Sequence, residues 1–184
     1  MADENNHAIR KIDISTAVVT TVAGGGSQGY LDGQGTEAQL DTPMGVAVDV
    51  FGQVYVTDMG NNCIRMINTT GFVSTIAGLG TDGSGHVDGN GVQARFTAPE
   101  GIAIDANGTI YVSDGRLRKI VRLPTAAAPT TTTTPVPGSV STTVAVASTS
   151  PQPPAPPEES DYAEYNVSTI IGVPSSVGIA LDAR

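Results

Sequence analysis

The sequence is poor in several residue types, and each shortage narrows the choice of structure. Its 184 residues include a single cysteine, Cys63, so no internal disulfide can form and packing must stabilise the fold. No apolar run is long enough to span a bilayer. The sequence has nine Lys and Arg residues and 18 Asp and Glu residues, which gives a formal net charge of −9. Because an acidic chain repels phosphate backbones, nucleic acid is an unfavourable partner.

Helical periodicity is also almost absent. The 22 glycines, 12 prolines and many threonines favour an all-β protein that is rich in turns. The segment Met1–Asp13 lacks the positive-then-apolar layout of a secretion signal. We interpret this as a protein made inside the cell, or as a sequence whose true start is missing.

The most informative feature is an internal repeat. The stretch PMGVAVD…GQVYVTD, which begins at Pro43, returns as PEGIAID…GTIYVSD at Pro99, 56 residues later. A fixed period filled with short strands indicates a stacked or radial β architecture. In the middle copy, turns separate four predicted strands: Gly45–Asp49, Gln53–Asp58, Cys63–Asn68 and Phe72–Gly78. Four short strands joined by tight turns have the size of one propeller blade.

We therefore predict an all-β fold, a partial β-propeller of four-stranded antiparallel blades, in three segments. Residues 1–123 hold the end of one blade, one full blade and three strands of the next. Residues 124–165 form a Thr/Pro-rich insertion, which we expect to be disordered because it buries too little apolar surface. Residues 166–184 supply the fourth strand of the interrupted blade and the first strand of a further one. This prediction requires Val167–Ile171 to lie antiparallel beside Leu117–Val121.

The predicted strands make a little under three blades, whereas closed propellers have four to eight. An incomplete ring of this size would leave open sheet edges and uncovered apolar faces. We expect it to be a piece of a longer protein, in preference to a protomer that closes by assembly. In both cases further blades or assembly are needed to close the propeller.

The repeated segments resemble NHL repeats. The resemblance is carried by YVTDMGNNCIRMIN, by AG…DGQGTEAQLDTPMGVAVD and by their counterparts in the other copies. The triplet that names the family appears as Asn6-His7-Ala8 and as Asn61-Asn62-Cys63, and it is missing from the third copy. The resemblance implies a propeller that serves as a binding platform, a sensor domain, an RNA binder, or a lyase or lactonase. The His, Tyr and metal pattern of the family's lyases has no match here.

Two sets of aspartates recur at strand ends, as does one set of glycines. Their recurrence favours capping of turns over catalysis, because a catalytic acid need not occur in every blade. The glycines recur because strands near a propeller axis crowd together. The sets are Asp49, Asp105 and Asp182 after first strands, Asp3, Asp58 and Asp114 after second strands, and Gly45, Gly101 and Gly178.

No catalytic or metal-binding set emerges from the motifs. The loops Asp32–Gly35 and Asp88–Gly91 offer oxygen ligands for calcium, but they lack the alternating acids of an EF-hand, so turn formation is favoured over calcium. His7 and His86 come from different loop types, with no third histidine in metal spacing and no orienting partner in view. We predict no catalytic residue, no metal ligand and no cofactor.

Three Asn-x-Ser/Thr triplets make Asn68, Asn107 and Asn166 candidate N-glycosylation acceptors. The Thr/Pro tract resembles mucin-like stalks that carry O-glycans. These features favour an extracellular or cell-surface protein, and they leave the compartment open.

Four of the nine basic residues fall between Arg116 and Arg122. We interpret this stripe as a solvated edge. An RNA-binding platform that uses the same stripe stays open as an alternative.

Positions that differ between the copies locate a candidate binding surface. The loops that lead into first strands share one face of the disc with the loops between second and third strands. We predict a non-enzymatic module that recognises a protein, peptide or glycan on this face; the other alternative is a fragment of a metal-dependent lyase or lactonase. The candidate partner-binding residues are Tyr30, Met44, Met59, Asn61, Asn62, His86, Glu100 and Arg116.

Overall fold

The computed structural model describes residues 1–80, 83–122 and 165–170. Three antiparallel sheets follow one another along this part of the chain. The first sheet contains β1 (Ala2–Asp3), β2 (Ala8–Asp13) and β3 (Val18–Gly24), in that spatial order. A 3-10 turn, Glu4–Asn6, separates β1 from β2.

The second sheet is the middle copy of the repeat. Its strands lie in the order β4-β8-β7-β6-β5. Alternating apolar residues face the neighbouring sheets, as expected for short strands buried on one or both faces. The strands are β4 (Gly33–Gln34), β5 (Pro43–Val48), β6 (Val54–Asp58), β7 (Cys63–Ile67) and β8 (Phe72–Ala77).

The third sheet repeats this order as β9-β13-β12-β11-β10. Its last strand follows the Thr/Pro tract in sequence and lies antiparallel to β12, with Ile120 opposite Val167 and Arg118 opposite Thr169. The expected pairing across the tract is therefore confirmed. The strands are β9 (Gly89–Asn90), β10 (Ile102–Ile104), β11 (Ile110–Ser113), β12 (Leu117–Arg122) and β13 (Tyr165–Thr169).

These three sheets are blades of an all-β partial propeller, as the sequence predicted. One detail differs from the four-stranded blade. The two-residue strands β4 and β9 pair with the outermost strands β8 and β13 and add a short fifth strand to each sheet. Since an uncovered edge strand invites unwanted pairing, this addition protects the outer rim.

Apolar cores fill the spaces between successive blades. Ile102 and Ile104 of β10 pack against a cluster that includes Tyr55, Ile64 and Phe96. Burying each such side chain stabilises the fold by about 1.5–3 kcal/mol.

Between the first two blades, a second cluster includes Ile9, Leu40 and Val56. A cavity of about 600 Å³ remains beside it, with Lys11 in its lining. The repeat aligns Lys11 with Met66, a side chain that packs against the core between the second and third blades. A charged side chain therefore stands where the next blade carries an apolar one.

Gly45 allows two first strands to approach closely. A Cβ atom at this position would lie 2.4 Å from the carbonyl oxygen of Glu100 and 3.0 Å from Cγ2 of Ile102. The crowding near the propeller axis that the recurring glycines predict is therefore present between β5 and β10.

The predicted insertion, residues 124–165, lies outside the described residues except for Tyr165, which begins β13. The predicted first strand of a further blade, with Gly178 and Asp182, also lies outside them. Among the described elements, no helix has the length and hydrophobicity needed to cross a bilayer.

Candidate functional site: a loop face above buried arginine clusters

Loops of the second and third blades lie together, and His7 of the first blade contacts them. We call this surface the loop face. It consists of Asp41–Met44 and Ala98–Glu100, at or before the starts of β5 and β10, of Met59–Asn62 and Gly115–Arg116, which follow β6 and β11, and of Tyr30 and His86. Backbone hydrogen bonds tie its parts within a blade, such as Gly60 N–H to the Asp41 carbonyl at 2.9 Å.

Side chains tie the same loops between blades. The Ala98 amide donates to Oδ1 of Asn62 at 2.9 Å, which connects the second and third blades. The Thr42 amide donates to Nδ1 of His7 at 3.1 Å, which connects the first and second blades. His7, which belongs to the Asn6-His7-Ala8 triplet, therefore holds the first blade against the second. The loop face is a continuous surface rather than a set of separate loops.

Most of the predicted binding residues reach this surface. Tyr30 and Met44 are each 39% exposed, and both are large side chains that a folded chain would otherwise bury. Met59 and Asn62 are partly exposed. The exposed members with polar or charged side chains are His86, Glu100 and Arg116.

Asn61 is placed differently, because it is completely buried. Its Nδ2 donates to the Gly29 carbonyl and to Oδ2 of Asp58, both at 2.8 Å. The side chain therefore holds two loops together and does not reach the surface.

A buried arginine supports the second blade from below the loop face. Arg65 of β7 is 0% exposed, and its guanidinium donates to Asp58 at 2.8 Å and to Asp32 at 2.6 Å. Further donors bind the carbonyl oxygens of Leu31 and Gln39 at 2.9 and 3.1 Å. The guanidinium also lies 5.3 Å from the centre of the Tyr30 ring. Five donors in a fixed fork suit an arginine to such a dense set of acceptors.

The third blade repeats this arrangement with Arg118 of β12. This side chain is also 0% exposed, and it contacts Asp114 at 3.3 Å and Asp88 at 2.8 Å. Carbonyl oxygens of Val87 and Arg95 complete its partners.

The second carboxylate of each cluster comes from a crossing loop, a term we use for Leu31–Gln39 and Val87–Arg95. Each crossing loop is closed on itself by a β-bridge between its end residues. Its aspartate also accepts two hydrogen bonds from a threonine of the outermost long strand. Asp32 binds the amide and hydroxyl of Thr75, both at 3.0 Å. Asp88 binds those of Thr169, at 3.0 and 2.9 Å.

These clusters correct one expectation and extend another. The basic stripe is not one solvated edge, because Arg118 at its centre is buried in an ion-pair cluster, while Arg116 is exposed. Asp58 and Asp114 do accept backbone amides, from Asp41 and Thr97, as the capping interpretation predicts, and each also binds a buried arginine. The turn-cap interpretation does describe Asp49, which accepts the amides of Phe51 and Gln53.

His86 has an orienting partner that the sequence did not reveal. Its Nδ1 lies 3.3 Å from Oδ2 of Asp114, and the two residues are 28 positions apart in sequence. Within the described ranges, no group of three or more His, Cys, Asp or Glu side chains could hold a metal ion.

The candidate glycosylation sites lie in three settings. Asn107 is exposed in the turn between β10 and β11. Asn68 is partly buried, and its Oδ1 accepts hydrogen bonds from Thr70 and Phe72. Asn166 is an exposed residue of β13, opposite Val121 and Asn90.

Asp88 should make the stability of the third blade dependent on acid pH. Partial burial raises the pKa of Asp88, but hydrogen bonds from Thr169 and the Arg118 guanidinium outweigh this and leave the pKa below its ordinary value of 3.8. A carboxylate with a lowered pKa stabilises the fold above its unfolded-state pKa, and the stabilisation is lost as pH falls through the folded-state pKa.

We expect Asp88→Asn to be less stable than the parent chain at pH 7, and the difference to shrink as pH falls below about 4. Urea unfolding of both chains at a series of pH values measures this difference. A gap that stays constant or widens towards pH 2 would contradict the assignment.

Comparison with known proteins finds relatives that are named for NHL repeats. No model of a known protein family matches the chain. Protein SUPPRESSOR OF QUENCHING 1, chloroplastic, from Arabidopsis thaliana is 35% identical over 123 residues, which cover 62% of this chain and 12% of that protein. NHL repeat-containing protein 2 from Gallus gallus is 30% identical over 124 residues, which cover 62% of this chain and 17% of that protein. The chain spans less than a fifth of the length of these relatives.

A crystal structure of an auxiliary nutrient binding protein from Bacteroides ovatus is 27% identical, with a TM-score of 0.53. The match covers 64% of this chain and 33% of that one. Over its repeats the chain is similar to NHL repeat-containing proteins. The same repeat gives the second and third blades the same strand order.

Proposed function

We propose that this NHL-repeat module binds a protein, peptide or glycan partner through the loop face, without catalysing a reaction. The observation that carries the proposal is that hydrogen bonds join the loops of successive blades into one surface, while equivalent positions on it differ chemically. Met44 of the second blade corresponds to Glu100 of the third, and Tyr30 corresponds to His86. A rigid frame with variable side chains suits recognition.

The composition of the loop face supports a polypeptide or sugar ligand. Tyr and Met are enriched at protein interfaces, where they supply contact area and adaptable packing. Glu100 and Arg116 add one charge of each sign, which favours a ligand with mixed polarity. A solved relative of the chain is described as a nutrient binding protein, which agrees with a binding role.

The buried arginine clusters serve this function indirectly. Each cluster fixes a crossing loop against the ends of the strands that carry the loop face. Both terminal nitrogens of each guanidinium already bind protein acceptors, so these arginines hold the frame and leave the exposed side chains to bind.

The test begins with ligands selected against the intact 184-residue chain from a phage-displayed peptide library and a glycan array. We expect the double variant Glu100→Arg, Arg116→Glu to bind the selected ligands at least tenfold more weakly, because both charges on the face are reversed. The matched control is Ala106→Arg, which places a charge in the exposed turn at the opposite ends of the strands. Isothermal titration calorimetry measures the affinities.

Unchanged affinity in the double variant, or an equal loss in the Ala106→Arg control, would contradict the proposal. Turnover of small ester substrates by the parent chain would overturn its non-enzymatic part.

A further inference from the structure

The first blade carries the same arginine as the other two, but with fewer partners. The repeat aligns Arg10 with Arg65 and Arg118. Arg10 donates to Asp3 at 3.0 Å and to the hydroxyl of Thr21. Among the described residues it has no second carboxylate and no carbonyl partner, and its side chain is 29% exposed. In the other two blades, Nη2 of the arginine binds the crossing loop. Among the described residues, Nη2 of Arg10 has no such partner.

The threonine that holds the crossing-loop aspartate is also present in the first blade. Thr21 lies opposite Arg10 in the strand register, as Thr75 lies opposite Arg65. In the second and third blades this threonine binds the aspartate through both its amide and its hydroxyl. Arg10 and Thr21 therefore present the same pair of donors to a carboxylate.

The edge beside these donors is free as well. In the second blade, β4 covers the outer edge of β8, with Gly33 opposite Val73 and Gln34 opposite Phe72. The corresponding edge belongs to β3, which pairs only with β2 in the described part of the chain. Val18 and Val19 of β3 are 52% and 56% exposed. An uncovered strand of this kind readily accepts a further extended segment.

We propose that the outer edge of the first blade, formed by Arg10, Thr21 and Val18–Val19, binds the crossing loop of another NHL repeat. One aspartate of that loop would bridge the Arg10 guanidinium and the Thr21 amide and hydroxyl. The Gly and polar residue after it would pair with β3 as Gly33 and Gln34 pair with β8. The second and third blades contain the same site with a crossing-loop aspartate bound in it. These two examples define the chemistry of the ligand. The Arg10 guanidinium, whose ion pair among the described residues is with Asp3, still presents donors that complement the required carboxylate.

This surface is distinct from the loop face, so the inference stands or fails independently of the proposed function. The probe is a fluorescent, acetylated peptide with the sequence of residues 28–41, QGYLDGQGTEAQLD, titrated with the full chain in a fluorescence anisotropy assay. Two altered peptides carry either Asp32→Asn or Glu37→Gln, so they have equal net charge. We expect the Asp32→Asn peptide to bind at least tenfold more weakly, and the Glu37→Gln peptide to bind like the parent.

Variants of the chain test the receptor side. Arg10→Gln and Thr21→Val should each weaken binding of the parent peptide, Arg10→Gln by at least tenfold. Lys11→Gln, which removes the neighbouring exposed cation, should leave it unchanged. Circular dichroism identifies variants that remain folded, and Thr21→Val keeps the test valid should Arg10→Gln unfold.

Several results would overturn the proposal. They are the absence of saturable binding, equal affinity of the two altered peptides, and an equal loss in Lys11→Gln and Arg10→Gln.

Discussion

Replacing Arg65 with methionine is expected to lower the free energy of unfolding by about 3–5 kcal/mol. The variant leaves Asp58, which is fully buried, without its cationic partner. It also removes the donors that bind the Leu31 and Gln39 carbonyl oxygens, so the crossing loop loses its anchor. Urea unfolding followed by circular dichroism measures the change.

The chain supplies a matched control in Arg10→Met. Arg10 is the equivalent residue of the first blade, but it is partly exposed and pairs with a single carboxylate, Asp3. An exposed ion pair contributes about 0–1 kcal/mol, so this variant should lose no more than that. Equal losses in the two variants would show that the buried cluster does not stabilise the fold as argued.

Replacing Gly45 with alanine is expected to cost about 1–3 kcal/mol through overpacking. The added methyl group would lie 2.4 Å from the Glu100 carbonyl oxygen and 3.0 Å from Oγ1 of Thr57. The nearest atom belongs to the backbone, so relief requires β5 and β10 to move apart. The same shift would break the hydrogen bond from the Thr57 hydroxyl to the Glu100 carbonyl, which is 2.8 Å long.

The control for this substitution is Gly26→Ala. A Cβ atom at Gly26 would meet no heavy atom within 4 Å. We expect unchanged stability or a gain of up to about 1 kcal/mol, because alanine reduces the entropy of the unfolded chain. Thermal unfolding measures the stability of both variants. A Gly45→Ala chain as stable as its parent would refute the close contact between β5 and β10.

Much of the fold could be predicted because the sequence contains the same blade several times. Local alternation and turn residues locate the strands of the middle copy, and the offset of 56 residues transfers them to the next. The same comparison identified Asn166–Gly172 as the missing fourth strand, despite the long tract before it. Its pairing with β12 depends on a repeated pattern rather than on nearness in sequence, and the pairing is present in the structure.

The edge strands and the arginine clusters could not be predicted in the same way. Gly33–Gln34 carries no hydrophobic pattern, since its pairing with β8 uses backbone groups alone. Arg118 and Lys119 are adjacent cations in the sequence, but successive residues of a strand point to opposite faces. One is buried against two aspartates and the other is partly exposed, and only the packing of the crossing loop separates them.

The residues of the candidate site could likewise be predicted only in part. Variation between copies located the exposed residues Glu100 and Arg116, because loops tolerate change where the frame does not. The same argument selected Asn61, which is buried, since differences between repeats reveal variation but not exposure. His86 and Asp114 came together through folding across 28 residues, a separation at which sequence spacing carries no information.

The order of the four longer strands of a blade, the position of the interrupted blade and the crowding at Gly45 were determined by the sequence alone, because each is a local pattern that recurs. The tertiary structure alone decided which charges are buried, which aspartate each arginine binds and which loop residues reach the surface. These outcomes depend on crossing loops that contact strands 26–34 residues away, as Gln39 and Leu31 contact Arg65. Burial and pairing of charges are properties of that long-range packing, and no local pattern of residues encodes them.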